Sequence, residues 1–348
     1  MRFRLVQISL CLIFLGVVGI SFFFVISSFT FEYEVVARYL LAQLFNEHGF
    51  AYLTSVAQLP LGIILEALLF RIGFTVWMQQ FFSIVFSLVS LFFVFKLARL
   101  KLEEKPALLI TALVGFNPLF LIYSFIVGVE SLSLMVLLLF FYLFSTEHYH
   151  LAALALWAGV LTNYVCWPLI FLVLLNHLTN RIRKEANMKE LLSFAAGVAG
   201  VILWGVVNFT QTQNPLNFIQ GLSDTTLSVY AHANVFNLQG LEFLLPLLIY
   251  PLTFAFPFAV MLLANLHKRK INLPLLFAVT NALLLTIGVI TKTTMPWARY
   301  YLYNLPLLVM LGYPSKIKLW HIIAYFALAT AATYLQVFWS INFYNQLS

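Results

Sequence analysis

Two carboxylates one residue apart, Glu32-Tyr33-Glu34, stand just after the first long apolar run and are the side chains best suited to chemistry. A carboxylate held beside a hydroxyl can take its proton as that hydroxyl attacks. The spacing also fits a quieter role, because Arg38 follows Glu34 by four residues and the two can pair on one helical face. Arg299, in Pro296-Trp297-Ala298-Arg299-Tyr300, is either an interfacial anchor between aromatic rings or a cation for an anionic ligand. Lys292 precedes it in the same connection. Glu130 opens another apolar run, where a carboxylate is costly unless it faces a cavity or a partner. The histidines show no ligand spacing; His148-Tyr149-His150 falls in a turn, and no zinc site is expected.

The elements that carry these groups follow from composition. Of 348 residues, 63% are hydrophobic and 9% charged, against about 45–50% and about 25% in a soluble domain. Such a chain cannot cover a folded surface with polar groups, which excludes a soluble enzyme, a secreted disulfide scaffold and a disordered regulator. The expected class is an all-α polytopic membrane protein, a single integral domain over 1–348 in contact with the lipid bilayer. The net charge of +7 comes with no basic aromatic patch, so no nucleic-acid partner is expected. Cys11 and Cys166 fall within apolar segments and suggest neither a disulfide nor a metal site. Met1-Arg2-Phe3-Arg4 precedes an apolar run too long for a signal-peptide core, so a retained first span is expected.

A span needs about 20 apolar residues, fewer in a thinned or protein-lined region, and the clear candidates are 5–27, 76–96, 107–126, 130–145, 191–209, 241–264, 273–290, 300–312 and 320–340. Residues 59–73 are too short and charged for a clear span, and 151–177 form one run interrupted by Thr162-Asn163 and Pro168. Taking 59–73 as interfacial and 151–177 as two short helices, 151–161 and 165–177, puts 15 of the 19 basic residues on one side. By the positive-inside rule that side is cytoplasmic. The arrangement has about 11 transmembrane segments, N-terminus cytoplasmic and C-terminus outside, in a plasma membrane, or in the ER membrane of a eukaryote. Changing both readings together displaces only the Lys96–Lys105 cluster and is the alternative arrangement.

Two sizeable loops then face outward, 28–75 and 210–240. In the first, Thr30 can cap a helix from Phe31 to about Glu47, with His48-Gly49 as its stop. A second amphipathic helix, 60–72, starts at Leu59-Pro60, with Glu66 and Arg71 expected to orient it. Glu32 falls in the first turn of the first helix, whose N-terminus favours the anionic form.

Several short motifs, in order, resemble one known family. After the acidic pair and the Pro-Leu helix come Phe116-Asn117-Pro118-Leu119-Phe120, Val129-Glu130-Ser131-Leu132 and Leu161-Thr162-Asn163-Tyr164. Trp204 to Asn208, then Gln213-Asn214-Pro215-Leu216-Asn217-Phe218, and finally Ala298-Arg299-Tyr300-Tyr301-Leu302 with Leu305-Pro306 complete the series. Together they resemble the GT-C glycosyltransferases, closest to protein O-mannosyltransferases and the lipid A aminoarabinose transferase, over roughly residues 5–312. Both acids are Glu where the family usually includes Asp, Asn163 stands where Arg is common, and the only aspartate is Asp224.

The resemblance implies inverting transfer of a sugar, mannose or another hexose, from a polyprenyl-phosphate-linked donor to a lipid, glycan or protein acceptor. Glu32, or in its place Glu34, would be the base, and Arg299 the ligand of the leaving phosphate with Lys292 as a second. Glu130, Tyr164, Asn163 and Trp167 would line the site, and Asp224 and His232 belong to a loop that would close over the donor. No cofactor motif is present, and a divalent cation is compatible with the residues. The rival functions are a non-catalytic lipid-binding subunit of the same fold and a lipid-linked-sugar flippase; no internal repeat supports the latter.

Overall fold

The computed structural model describes residues 2–26, 42–49, 59–73, 76–125, 129–185, 187–217, 249–265, 272–291, 298–314 and 317–347. Glu32, Glu34, Asp224, His232 and Lys292 lie outside them, as does most of the helix expected over 31–47. Its end is described: 42–48 is helical, and Gly49 closes it at φ 62° with its N–H donating to the Phe45 carbonyl.

Every regular element among the described residues is helical. In chain order they are α1 (Arg2–Ile26), α2 (Pro60–Arg71), α3 (Val76–Arg99), α4 (Glu104–Gly115) and α5 (Pro118–Phe125). Next come α6 (Val129–Ser145), α7 (Tyr149–Thr162), a 3-10 turn (Tyr164–Cys166), α8 (Pro168–Ile182) and α9 (Glu190–Thr212). The rest are α10 (Tyr250–Phe254), α11 (Phe258–Ala264), α12 (Leu273–Ile290), a 3-10 turn (Ala298–Tyr301), α13 (Leu305–Gly312) and α14 (Leu319–Leu347).

Four described helical segments are long and apolar enough to cross a bilayer: Gln80–Arg99, Tyr164–Ile182, Glu190–Thr212 and Leu273–Ile290. The bent pair Glu104–Gly115 and Pro118–Ser124 makes a fifth if counted as one. Val129–Ser145 and Tyr149–Thr162 are apolar but shorter, and α1 and α14 carry the apolar stretches Leu5–Ser21 and Leu319–Tyr334. The span expected over 107–126 is thus two helices, because Pro118 has no N–H to continue the ladder. The described part of the run 241–264 is likewise divided, into α10 and α11, around a cis Phe256–Pro257 bond.

α9 shows how such a helix suits lipid. Its buried stripe is Glu190, Ser193, Gly197, Gly200, Trp204 and Asn208, small or polar at nearly every step. Its exposed residues include Ile202, Leu203, Val206 and Phe209. A water-soluble helix has the opposite distribution; in lipid, small residues face neighbouring helices and large apolar ones face outward.

The chain divides into two compact units, 1–115 with 121–219, and 116–120 with 220–348. In the first, α3 packs on α6, α6 on α7, α7 on α9 and α8 on α9. A Cβ at Gly197 would stand 2.8 Å from Ile170 and 3.4 Å from Leu156, and one at Gly200 2.5 Å from Val160. The register advances with α9 along α7. It runs backward along α8, since His177 Nδ1 lies 3.4 Å from the Glu190 carboxylate. α7 and α8 are therefore a hairpin whose two ends return to one end of the unit, as the two-helix reading of 151–177 requires.

The basic clusters share that end. Phe93 and Tyr142 rings lie 5.7 Å apart, and Phe144 and Tyr149 5.5 Å apart, so α3 and α6 finish together where α7 begins. The Lys96–Lys105 and Arg181–Lys189 stretches consequently lie at the same end of the unit, whereas the alternative arrangement places them on opposite sides.

In the second unit Asn117 organises the helix break. Its Oδ1 accepts the Leu119 N–H at 3.0 Å, and its Nδ2 donates to the Phe254 carbonyl at 3.1 Å and the Tyr325 hydroxyl at 2.9 Å. All of this is buried. Asn117→Ala strips one partner from each of three groups and is expected to cost about 2–4 kcal/mol, read as a lower melting temperature in detergent.

Candidate functional site

One end of the first unit gathers Glu130, Asn163, Tyr164 and Trp167. Glu130 lies in the first turn of α6 and is only 7% exposed. The adjacent Val129 is where α2 arrives: Gly62 fits against its side chain so closely that a Cβ would overlap Val129 Cγ1. α2 also packs along α7.

α2 is more than an amphipathic surface helix. Pro60 does start the helix, with Leu59 extended before it. But the face Pro60, Gly62, Ile63, Glu66 and Ala67 is buried against protein, and Glu66 is 8% exposed. Arg71 is exposed and donates from Nε to Asn46 Oδ1 at 2.6 Å, while Asn46 Nδ2 donates to the Ala67 carbonyl. The two helical pieces of the first loop are joined by that link.

The hairpin tip stands at the same end. Gly159 lies at the level of Val136 on the antiparallel α6, which puts Asn163 and Tyr164 near the start of α6. Asn163 Oδ1 accepts the Val165 N–H at 3.0 Å, capping the 3-10 turn, and Trp167 Nε1 donates to the Val160 carbonyl at 2.9 Å. Tyr164 meets Trp167 edge to face with ring centroids 5.3 Å apart. Trp204, one turn beyond Gly200 on α9, is level with this tip. Asn208, one turn further, donates from Nδ2 to the Trp204 carbonyl at 2.9 Å, and its Oδ1 is buried with no hydrogen bond. The helix ends at Gln213 in the left-handed region (φ 59°), and Asn214 Oδ1 turns the chain by accepting the Leu216 N–H.

In the second unit Arg299 lies in the 3-10 turn Ala298–Tyr301; its side chain is outside the described part of the structure. The turn leads to Tyr301 and Asn304, both 1% exposed, and Asn304 Oδ1 accepts from Asn281 Nδ2 of α12 at 3.1 Å.

No known family model matches the chain, and neither does any curated protein. The site is therefore read from its residues. Glu130 and Tyr164, predicted from sequence, come to one end of one unit. Arg299 belongs to the other unit, and Glu32, Glu34, Lys292 and Asp224 are not among the described residues. Sequence reasoning missed the burial of Glu66 and the polar group Tyr301, Asn304 and Asn281. The signal for Glu66 was present: Gly62, Ile63, Glu66 and Ala67 follow i, i+1, i+4, i+5, the face of a packed helix. For Asn281 there was none, because it stands singly in an apolar run.

Proposed function

We propose that the chain is a membrane glycosyltransferase with a GT-C-like fold of about 11 transmembrane segments, N-terminus cytoplasmic and C-terminus outside. It moves a hexose from a polyprenyl-phosphate donor to an acceptor hydroxyl on the outer or lumenal face. The acceptor oxygen attacks the anomeric carbon, the bond from that carbon to the phosphate oxygen breaks, and configuration inverts. The proton passes to Glu32, or to Glu34, and the electron pair leaves with the polyprenyl phosphate, held by Arg299 and Lys292. Glu130, Tyr164 and Asp224 line or close the site.

What carries this reading is the gathering at one end of the first unit of a buried carboxylate, a hairpin tip and the Trp204–Asn208 stretch, pieces far apart in sequence that the resemblance sets out in order. A lipid-binding subunit without turnover is the second reading, favoured by Glu at both acidic positions. Purified protein in liposomes with polyprenyl-phosphate mannose separates the readings. Transfer of mannose, or hydrolysis of the donor, supports the enzyme; donor binding with neither supports the subunit; lipid flux alone supports a flippase. Arg299→Ala is expected to weaken donor binding at least about tenfold, the loss of a charge-assisted contact to phosphate. Unchanged donor affinity in that variant would remove Arg299 from the assignment.

A further inference from the structure

The second unit buries polar atoms that the helices do not use. Tyr301, Asn304 and Asn281 are 1%, 1% and 3% exposed, and only one hydrogen bond, Asn281 to Asn304, joins their side chains. Tyr301 Oη and Asn304 Nδ2 are buried with no hydrogen-bond partner. Two such groups in an apolar helix layer are costly, and Phe and Leu would fill the same space without that cost.

Their geometry is that of one turn. The Asn304 N–H donates to the Tyr301 carbonyl at 3.0 Å, so the two residues are neighbours three positions apart. The Tyr250 ring lies 6.0 Å from that of Tyr301. Arg299 precedes Tyr301 by two residues in the same turn.

Resting on the reading of the chain as a transferase with a lipid-phosphate donor, we infer that Tyr301 and Asn304 receive the donor's head group. Each supplies a neutral hydrogen-bond donor to an acceptor oxygen of a phosphate-linked sugar, and Asn281 holds the Asn304 amide in place. A hydroxyl and an amide suit this role because they add directional contacts to oxygen without the desolvation cost of a buried charge.

Tyr301→Phe removes only the hydroxyl and gives the test. The purified full-length protein and the variant are titrated with polyprenyl-phosphate mannose, with thermal unfolding as the readout. Without lipid, the variant is expected to melt at the same temperature or higher, because an unpaired buried hydroxyl has been removed. With lipid, its dissociation constant is expected to rise about fivefold to tenfold, the loss of one hydrogen bond. Equal affinities for wild type and variant would overturn the inference and leave the donor reading intact. A variant that melts lower without lipid would also overturn it, since the hydroxyl would then be structural. Wild-type protein that responds to no polyprenyl-phosphate sugar would remove the donor reading, and this inference with it.

Discussion

Gly312→Ala is expected to lower stability by about 3 kcal/mol or more, the upper part of the range for forced overpacking. Gly312 ends α13 where that helix crosses α11. An added Cβ would stand 2.6 Å from the Phe258 carbonyl carbon and 2.9 Å from its Cα, and would overlap the carbonyl oxygen itself. Backbone at the start of a helix cannot rotate away, so α11 and α13 must separate. Gly200→Ala meets a milder obstacle: its Cβ would lie 2.5 Å from a Val160 methyl, which can turn. Gly205→Ala is the control. Its nearest neighbour is 3.8 Å away, and removing a helical glycine gains up to about 1 kcal/mol. Melting temperatures in one detergent should therefore rank Gly205→Ala at or above wild type and Gly312→Ala clearly below. A Gly312→Ala protein as stable as wild type would contradict the packing of α11 on α13.

Much of the first unit was legible as sequence because membrane helices are marked by apolar length and bounded by residues with fixed backbone preferences. Pro60, Gly49 and Pro168 each mark a helix boundary at or beside the expected place. The hairpin of α7 and α8 was readable only by counting basic residues on each side, since an apolar run of 27 residues is also the length of one tilted span. Asn163 and Pro168 supply the break, and Gly197 with Gly200 let α9 approach both arms.

Less of the site was legible, for a physical reason. Whether a polar side chain in an apolar run is a ligand or a strut depends on the neighbour it meets, and that neighbour is far away in sequence. Asn117 looked like part of a motif; in the fold it ties residues 117, 254 and 325 together. Glu66 looked like a surface charge and is buried. Asn304 and Tyr301 passed as ordinary members of an Arg-Tyr stretch, whereas in the fold each buries a donor without a partner.

The proposed function rests on Glu32 or Glu34 taking a proton during sugar transfer. A general base contributes about 100-fold to 10,000-fold in rate, and Gln keeps the shape of Glu while losing the proton acceptor. No further acid lies nearby in sequence to replace both, the next being Glu47. The decisive measurement is mannose transfer from polyprenyl-phosphate mannose by wild type, Glu32→Gln, Glu34→Gln and the double variant, alongside donor affinity for each. The expected result is a rate lowered at least about 100-fold in one single variant and in the double variant, with donor affinity unchanged. Full transfer by the double variant would contradict the assignment of the base.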